Sequence, residues 1–438
     1  MWTAFAYIIT AVIGSGILSL SWSMAQLGWV AGPLSLLFFA SITIVSAFLV
    51  SNCYRSPDPE NGHTRNNSYL EAVRMILGKR SASLCGMLLQ ISMFQAGIAF
   101  TITSGISMRA IQKANCFHEE GHNAACEYGS STYMLLFGFI QIVMSQIPDF
   151  HTMKWLSVVS AAMSFTYSII GTALGLAKVI GNGNVKGDII GVQTSTTAAK
   201  VTLVSQALGD IAFSYPFSMI LLEIQDTLKA PPSELVTMQK AAVMVTCTTT
   251  FIYFFCGGLG YAAFGNSAPG NLLTGFGFYE PYWLIGFANL CVVVHLFGAY
   301  QVYSQPVFAM MERWAAKRFP DNAFINYDHH SLELPLLPAF RANLFRLCVR
   351  TVYVASTIII AIIFPYFNQV LGVAGSIFFW PLVAYFPMEM YFVQKNVGKF
   401  TGKWILLHIY SIICLLTYMF ALLGSIEGLI AAEFGKDA

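Results

Sequence analysis

Runs of about twenty apolar residues recur along the chain, separated by short polar connections. At 1.5 Å rise per residue, a helix of that length crosses the ~30 Å hydrocarbon layer of a bilayer. The pattern predicts eleven spanning helices near 3–24, 29–53, 82–112, 131–147, 155–180, 200–224, 236–263, 281–311, 347–364, 368–393 and 402–430. The first is not a cleavable leader, because no basic stretch precedes it and more membrane helix follows. Met1-Trp2-Thr3 leaves almost no tail before it, the pattern expected of a truncated or late start.

Two spans carry internal breaks. Ile9–Leu20 is apolar, yet Gly14-Ser15-Gly16 interrupts it near its middle. In hydrocarbon an opened helix leaves amides and carbonyls unpaired, each at several kcal/mol, so a break persists only against protein, a cavity or a ligand. The residues support two readings: a cradle whose amides meet an anion, or small residues for close helix packing. In the sixth span, Pro216 removes one N–H and clashes with the Ala212 carbonyl. It either releases backbone acceptors for a ligand or makes a simple kink.

Composition fits the membrane reading. Of 438 residues 56% are hydrophobic and 10% charged, where a soluble domain carries roughly 25% charged residues. The net charge of +2 suggests no nucleic-acid partner. Lys and Arg choose the sides. Connections after the even-numbered spans, with their helix ends, hold 17 of the 23 cations, from Arg55 and Arg65 through Arg350 to Lys403. The opposite side holds Arg109, Lys113, Lys178, Lys186, Lys200 and Lys436. The amino terminus is therefore expected in the cytosol and the carboxyl terminus outside. The sequon Asn66-Asn67-Ser68 falls on the cytosolic side and should be unused. Cys116 and Cys126 share an external polar loop, where an oxidising environment favours a disulfide. The other seven cysteines lie in or beside apolar spans, as packing residues.

The chain resembles the plant amino acid permeases of the amino acid/auxin permease family over essentially its full length. The resemblance is carried by Ile8–Gly16, Gln26–Pro33, Ser145–Phe150, Ala207–Phe213, Glu223–Thr227, Pro269–Tyr279 and His295–Gln301, in that order. It implies an all-α polytopic fold of two inverted five-helix repeats, over 1–180 and 200–393, with an eleventh helix at 402–430. Helices one and six are broken. It also implies proton-driven uptake of amino acids at the plasma membrane. Two positions depart from the family pattern. Tyr7 stands where histidine is usual, and Gln95 where a small residue is usual.

The resemblance tips both breaks towards a substrate site. The substrate carboxylate is expected on the amides of Ser15, Gly16 and Ile17, flanked by Gly14. Its ammonium is expected on carbonyls of Ile13, Phe213 and Ser214. The substrate side chain should meet Phe94, Gln95, Ile98 and Tyr215. Ionisable residues inside a membrane are rare, which makes Asp210 and His295 the candidates for carrying the coupling proton. The ordinary alternatives are a structural cap for Asp210 and a neutral imidazole on a backbone carbonyl for His295. Glu223, Glu389 and Glu427 lie nearer span ends and rank lower. Thr10 and Ser304 leave a sodium site conceivable. Asp328-His329-His330 has metal-ligand residue types but no second cluster, so no metal is expected. No cofactor is expected beyond the proton, and no nucleotide loop or nucleophile–base motif points to a pump or an enzyme. An auxin or other small-carboxylate carrier and a non-transporting amino acid sensor remain the alternatives.

Overall fold

A computed structural model describes residues 1–59, 62–121, 123–147, 154–277, 282–326, 330–332 and 340–435. The helices are α1 (Trp2–Val12), α2 (Leu20–Ser51), α3 (Tyr69–Glu120), α4 (Ser131–Ser145), α5 (Lys154–Asn182), α6 (Thr197–Ser214) and α7 (Leu221–Asp226). They continue as α8 (Glu234–Phe264), α9 (Tyr282–Arg318), α10 (Ala323–Asn326), α11 (Leu344–Ile363), α12 (Phe367–Ile377), α13 (Phe386–Gln394) and α14 (Gly402–Phe434). Two short hairpins, Arg55–Ser56 with Thr64–Arg65 and His330–Leu332 with Phe340–Ala342, lie in polar connections.

Among the described residues, nine helical stretches are long and apolar enough to cross a membrane, and α4 is a shorter apolar helix. One of the nine, Ser15–Ser51, joins the second half of the first expected span to the whole helical part of the second, with α2 bending between them at Gly28 (φ 81°, ψ 179°), while α1 is the first half of the first span. Each of the eleven expected segments is thus helical. The chain is an all-α polytopic membrane protein. Gly78 (φ 87°) likewise bends α3, so that a leg from Tyr69 precedes the expected third span.

Burial sorts the helices. The apolar window of Thr197–Asp226 is 67% buried and that of α14 only 17%. The sixth span is therefore central, and α14 presents Leu406, Leu416 and Leu423 outward, as a lipid-facing helix must. Glycines bring α6 and α12 into backbone contact. A Cβ on Gly375 would land on the Gly209 carbonyl oxygen and within 2.5 Å of the Phe213 nitrogen. Five of the seven unpaired cysteines are buried as expected of packing residues, whereas Cys247 and Cys348 are exposed. Cys116 and Cys126 form a disulfide that ties the end of α3 to its following loop.

The two ends of the bundle are closed by different chemistry. At the Arg-rich end, Arg55 pairs with Glu234 at 2.8 Å, and Glu312 takes Arg350 at 2.8 Å and Arg346 at 3.2 Å. Tyr54 donates to Asp226 at 2.8 Å. Asn66 is fully buried there, its Nδ2 donating to the Cys53 carbonyl. A buried asparagine is closed to glycosylation on either side, so the sequon does not report orientation.

At the opposite end, the loop after α5 is laid across the Gly28 bend. Val192 N–H donates to the Ala25 carbonyl at 2.9 Å. The Lys200 ammonium donates to the carbonyls of Gln26, Ile190 and Val192 at 2.7, 2.9 and 2.7 Å. Its three N–H donors are all spent, so a residue read from sequence as a topology marker is a structural fastener. Gly28→Ala would add a left-handed penalty of roughly 1–2 kcal/mol. Its Cβ would also strike the backbone of Ile189, Ile190 and Gly191. A lower melting temperature of the purified protein is the expected outcome; an unchanged melt would show that the loop yields freely.

Candidate functional site

The first break forms as the glycines suggest. α1 ends at Val12, Ile13 (φ −80°, ψ 86°) and Gly14 (φ −122°, ψ −146°) leave the helix, and a 3-10 turn runs Ser15–Ser19. In such a turn the i→i+3 pattern spends the Ile17 N–H on the Gly14 carbonyl. Only the amides of Ser15 and Gly16 then remain to face a ligand. Ile17 is fully buried. The Ser15 hydroxyl is buried and has no hydrogen-bond partner among the described residues. Gly16 also serves close packing, since a Cβ there would meet Ser214 Oγ and lie 3.0 Å from Ser214 Cβ and 3.1 Å from its Cα. The cradle and packing readings of this glycine are compatible.

The second break lies opposite. α6 stops at Ser214, Phe217 (φ −131°, ψ 3°) is non-helical, and a short 3-10 turn over Ser218–Ile220 leads into α7. Two buried tyrosines bridge the broken strands of backbone. Tyr253 of α8 places its hydroxyl 2.9 Å from the Val12 carbonyl and 2.8 Å from that of Ser214. Tyr167 of α5 reaches the carbonyls of Gly14 at 2.9 Å and Ile13 at 3.3 Å. Two of the three carbonyls expected to receive an ammonium, Ile13 and Ser214, thus already face a tyrosine hydroxyl. Each keeps its second lone pair for a ligand.

Between the breaks lies a cavity of about 330 Å³. Gly14, Ser15, Gly16, Phe213, Ser214 and His295, all expected at the site, line it. Imidazole Nδ1 of His295 sits 2.9 Å from the Ser160 carbonyl of α5, and its Nε2 would be 3.7 Å from a Cβ on Gly14. A carbonyl only accepts, so Nδ1 carries the proton and Nε2 is turned to the break.

Other expected residues lie off the wall. Ile13 and Tyr215 are buried behind it, the Tyr215 hydroxyl on Thr250 Oγ1 at 3.2 Å. From the third span, Ser92, Met93, Ala96 and Phe100 line the cavity, not Phe94, Gln95 or Ile98. A helix turns 100° per residue, so a misjudged facing of one or two positions moves side chains to another neighbour. Phe94 meets the Tyr353 ring instead, at 5.2 Å, and Ile98 is buried. Gln95 Oε1 is buried without a partner among the described residues. Asp210 is fully buried away from the cavity, its Oδ2 accepting from Asn368 Nδ2 of α12 at 2.8 Å. Tyr167 and Tyr253 are not among the residues expected at the site, and Glu223, expected to matter less, lines the cavity with Tyr7 and Tyr303. A tyrosine hydroxyl in an apolar span calls for a polar partner, which is the signal in the sequence that points to Tyr167 and Tyr253. Asp328 and His329 lie outside the described residues, as does the side chain of His330.

Comparisons with known proteins bear on this geometry. The family model described as transmembrane amino acid transporter protein matches residues 1–431. "Probable amino acid permease 7" of Arabidopsis thaliana is 55% identical over 439 residues, covering 99% of this chain and 94% of that protein. "Amino acid permease 3" of the same plant is 50% identical over 432 residues, 98% of this chain and 90% of that one. These relatives are named permeases, transporters rather than enzymes. Among solved structures, MhsT in complex with L-phenylalanine superposes with a TM-score of 0.61 at 11% identity, over 97% of this chain and 98% of that one. Mhp1, a nucleobase-cation-symport-1 family transporter in a closed conformation with bromovinylhydantoin bound, gives 0.53 at 14% identity, over 98% and 90%. At such identities the likeness concerns the fold alone. By sequence, over nearly its whole length, the chain belongs to the transmembrane amino acid transporter family.

Proposed function

We propose that this protein carries an amino acid together with a proton across the plasma membrane, inward, by alternating access. The observation that carries the reading is the pairing of two broken helices across one cavity. Such a site answers both charges of a zwitterion without a charged side chain. The carboxylate takes the amides of Ser15 and Gly16 with the Ser15 hydroxyl, and the ammonium takes carbonyls of the second break around Phe213. Half-helix ends supply the matching partial charges. The permease names of the Arabidopsis relatives and the L-phenylalanine bound to MhsT support an amino acid as cargo.

His295 is the titratable group on the cavity wall that faces the first break. Its Nε2, turned to the Gly14 break, is placed to take the proton. Lys and Arg placement supports a cytosolic amino terminus and an external carboxyl terminus. In that orientation the cavity runs along the inner halves of the helices, past Tyr7, Glu223, Tyr303 and Val383, while the loop held by Lys200 covers the outer end. Residues 1–180 and 200–393 serve as the two inverted repeats that rock about the site, with 402–430 outside them.

Uptake of labelled alanine into vesicles under an imposed pH gradient tests the reading. Accumulation that collapses with a proton ionophore is expected. Uptake indifferent to the gradient would remove proton coupling, and competition by an indole acid but not by alanine would make the cargo an auxin-like carboxylate.

A further inference from the structure

Asp210 is the carboxylate the substrate cavity does not use. It sits on α6 facing α12 and α14, with no solvent exposure. Asn368 holds Oδ2, while Oδ1 has no hydrogen-bond partner among the described residues. Ser425 Oγ of α14 and Gln206 Nε2, one helical turn before Asp210, are equally buried and equally without partners. Asp210 Oδ1 and Ser425 Oγ converge on the bare face of Gly372, while the Gln206 side-chain amide lies against Gly428 of α14. A point one Cβ bond from Gly372 lies 2.6 Å from Ser425 Oγ, 3.3 Å from Asp210 Oδ1 and 3.3 Å from the Gln206 carbonyl oxygen. Room exists there because residue 372 has no side chain.

Among the described residues no cation answers this carboxylate. On α6, Lys200 is spent on three backbone carbonyls. On α14, Glu427 accepts from Thr202 Oγ1 and Glu433 from the Tyr366 hydroxyl, each at 2.8 Å. α12 carries no titratable residue, and neither does the stretch 15–28 that packs beside α6. An ionised, unpaired carboxylate at this depth is costly. A neutral carboxylic acid costs far less, and Ser425 Oγ is the hydroxyl that faces Oδ1 across the Gly372 gap, not hydrogen-bonded to it in this conformation. A hydroxyl can accept from the acid when the gap narrows and donate to the carboxylate after the proton leaves. An alkali metal ion fits less well. Few oxygens converge there: Asp210 Oδ1, Ser425 Oγ and the Gln206 main-chain carbonyl.

We propose that Asp210, with Asn368 and Ser425, forms a proton-binding site separate from the substrate cavity. It lies where α6, the half-helix that ends at the second break, contacts α12 through Gly209 and Gly375. Loading or unloading this proton changes the contact that positions α6. The site's use in transport rests on the proton-coupled reading above; its occupancy does not, so the two fail separately.

Infrared difference spectroscopy on the full-length protein in lipid nanodiscs, without substrate, tests it. Between mildly acidic and alkaline pH, a buried carboxylic C=O band should be lost. The band should be absent from Asp210→Asn, shifted in frequency in Ser425→Ala, and retained in Glu223→Gln. Ser425→Ala removes one hydroxyl and keeps the packing, so it reports even where Asp210→Asn fails to fold. A band that persists in Asp210→Asn, or that ignores Ser425→Ala, would overturn the assignment. So would a wild type whose band appears only when sodium and potassium are withdrawn, because a metal ion would then hold the carboxylate. Uptake measured on the same preparations separates the outcomes. Proton-driven accumulation with no Asp210 band leaves coupling to His295, whereas the band without proton-driven accumulation keeps the site and removes its role in transport.

Discussion

Gly16→Val is expected to reduce amino acid uptake by about a hundredfold while leaving surface delivery intact. The added Cβ would meet Ser214, whose Cβ lies 3.0 Å and Cα 3.1 Å from its position, and α6 backbone cannot swing aside as a flexible side chain could. Overpacking of this kind costs about 1–3 kcal/mol, and every ~1.4 kcal/mol is tenfold in an equilibrium. The cost falls on the conformations in which the two breaks close on the substrate. The branched side chain also covers the Gly16 amide on the cavity wall. Gly16→Ala should be intermediate, since it clashes with Ser214 but covers less. Uptake normalised to surface-labelled protein reads the effect. Preserved transport in Gly16→Val would sink the carboxylate cradle, and loss of surface protein would instead mark Gly16 as a folding residue.

The second large effect is expected from Tyr253→Phe. One hydroxyl stands within 2.9 Å of Val12 and Ser214 carbonyls, and both carbonyls belong to the ends of broken helices. The hydroxyl has one proton to share between them, and the Val12 carbonyl also accepts from the Gly14 N–H, so its removal leaves the buried Ser214 carbonyl without its donor, at about 1–3 kcal/mol. The ring still fits against Tyr215, 5.3 Å away, so packing survives and the loss isolates the hydrogen bond. A fall of tenfold or more in uptake, with a melting temperature a few degrees lower, is the expected result. Tyr167→Phe should do less, because one of its two contacts is already long at 3.3 Å. Equal uptake in Tyr253→Phe and wild type would mean that solvent or substrate takes over the two carbonyls.

Both predictions concern contacts between helices far apart in sequence, and there the sequence reading had its limits. The apolar runs sufficed for the helices, since each span needs only its own length and its own hydrogen bonds in lipid. The interruptions at Gly14 and Pro216 were legible for the same local reason: a glycine pair and a proline alter the backbone wherever they stand. The facing of the third span was not legible. Ser92 and Phe94 are two residues apart, yet one lines the cavity and the other meets Tyr353. In a bundle with apolar residues on every side, no polar stripe marks the inner face.

From the sequence by itself, the protein is a polytopic helical membrane protein with two interrupted spans, because hydrophobic length and backbone chemistry act within about twenty residues. Only the tertiary structure decides that Tyr253 joins the two breaks, that His295 faces the cavity while Asp210 turns away to Asn368, and that Lys200 fastens the outer loop. Those outcomes depend on the rotation of one helix against another. A rotation of 100° per residue carries a side chain from cavity to core to lipid without altering the pattern of letters that encodes the helix.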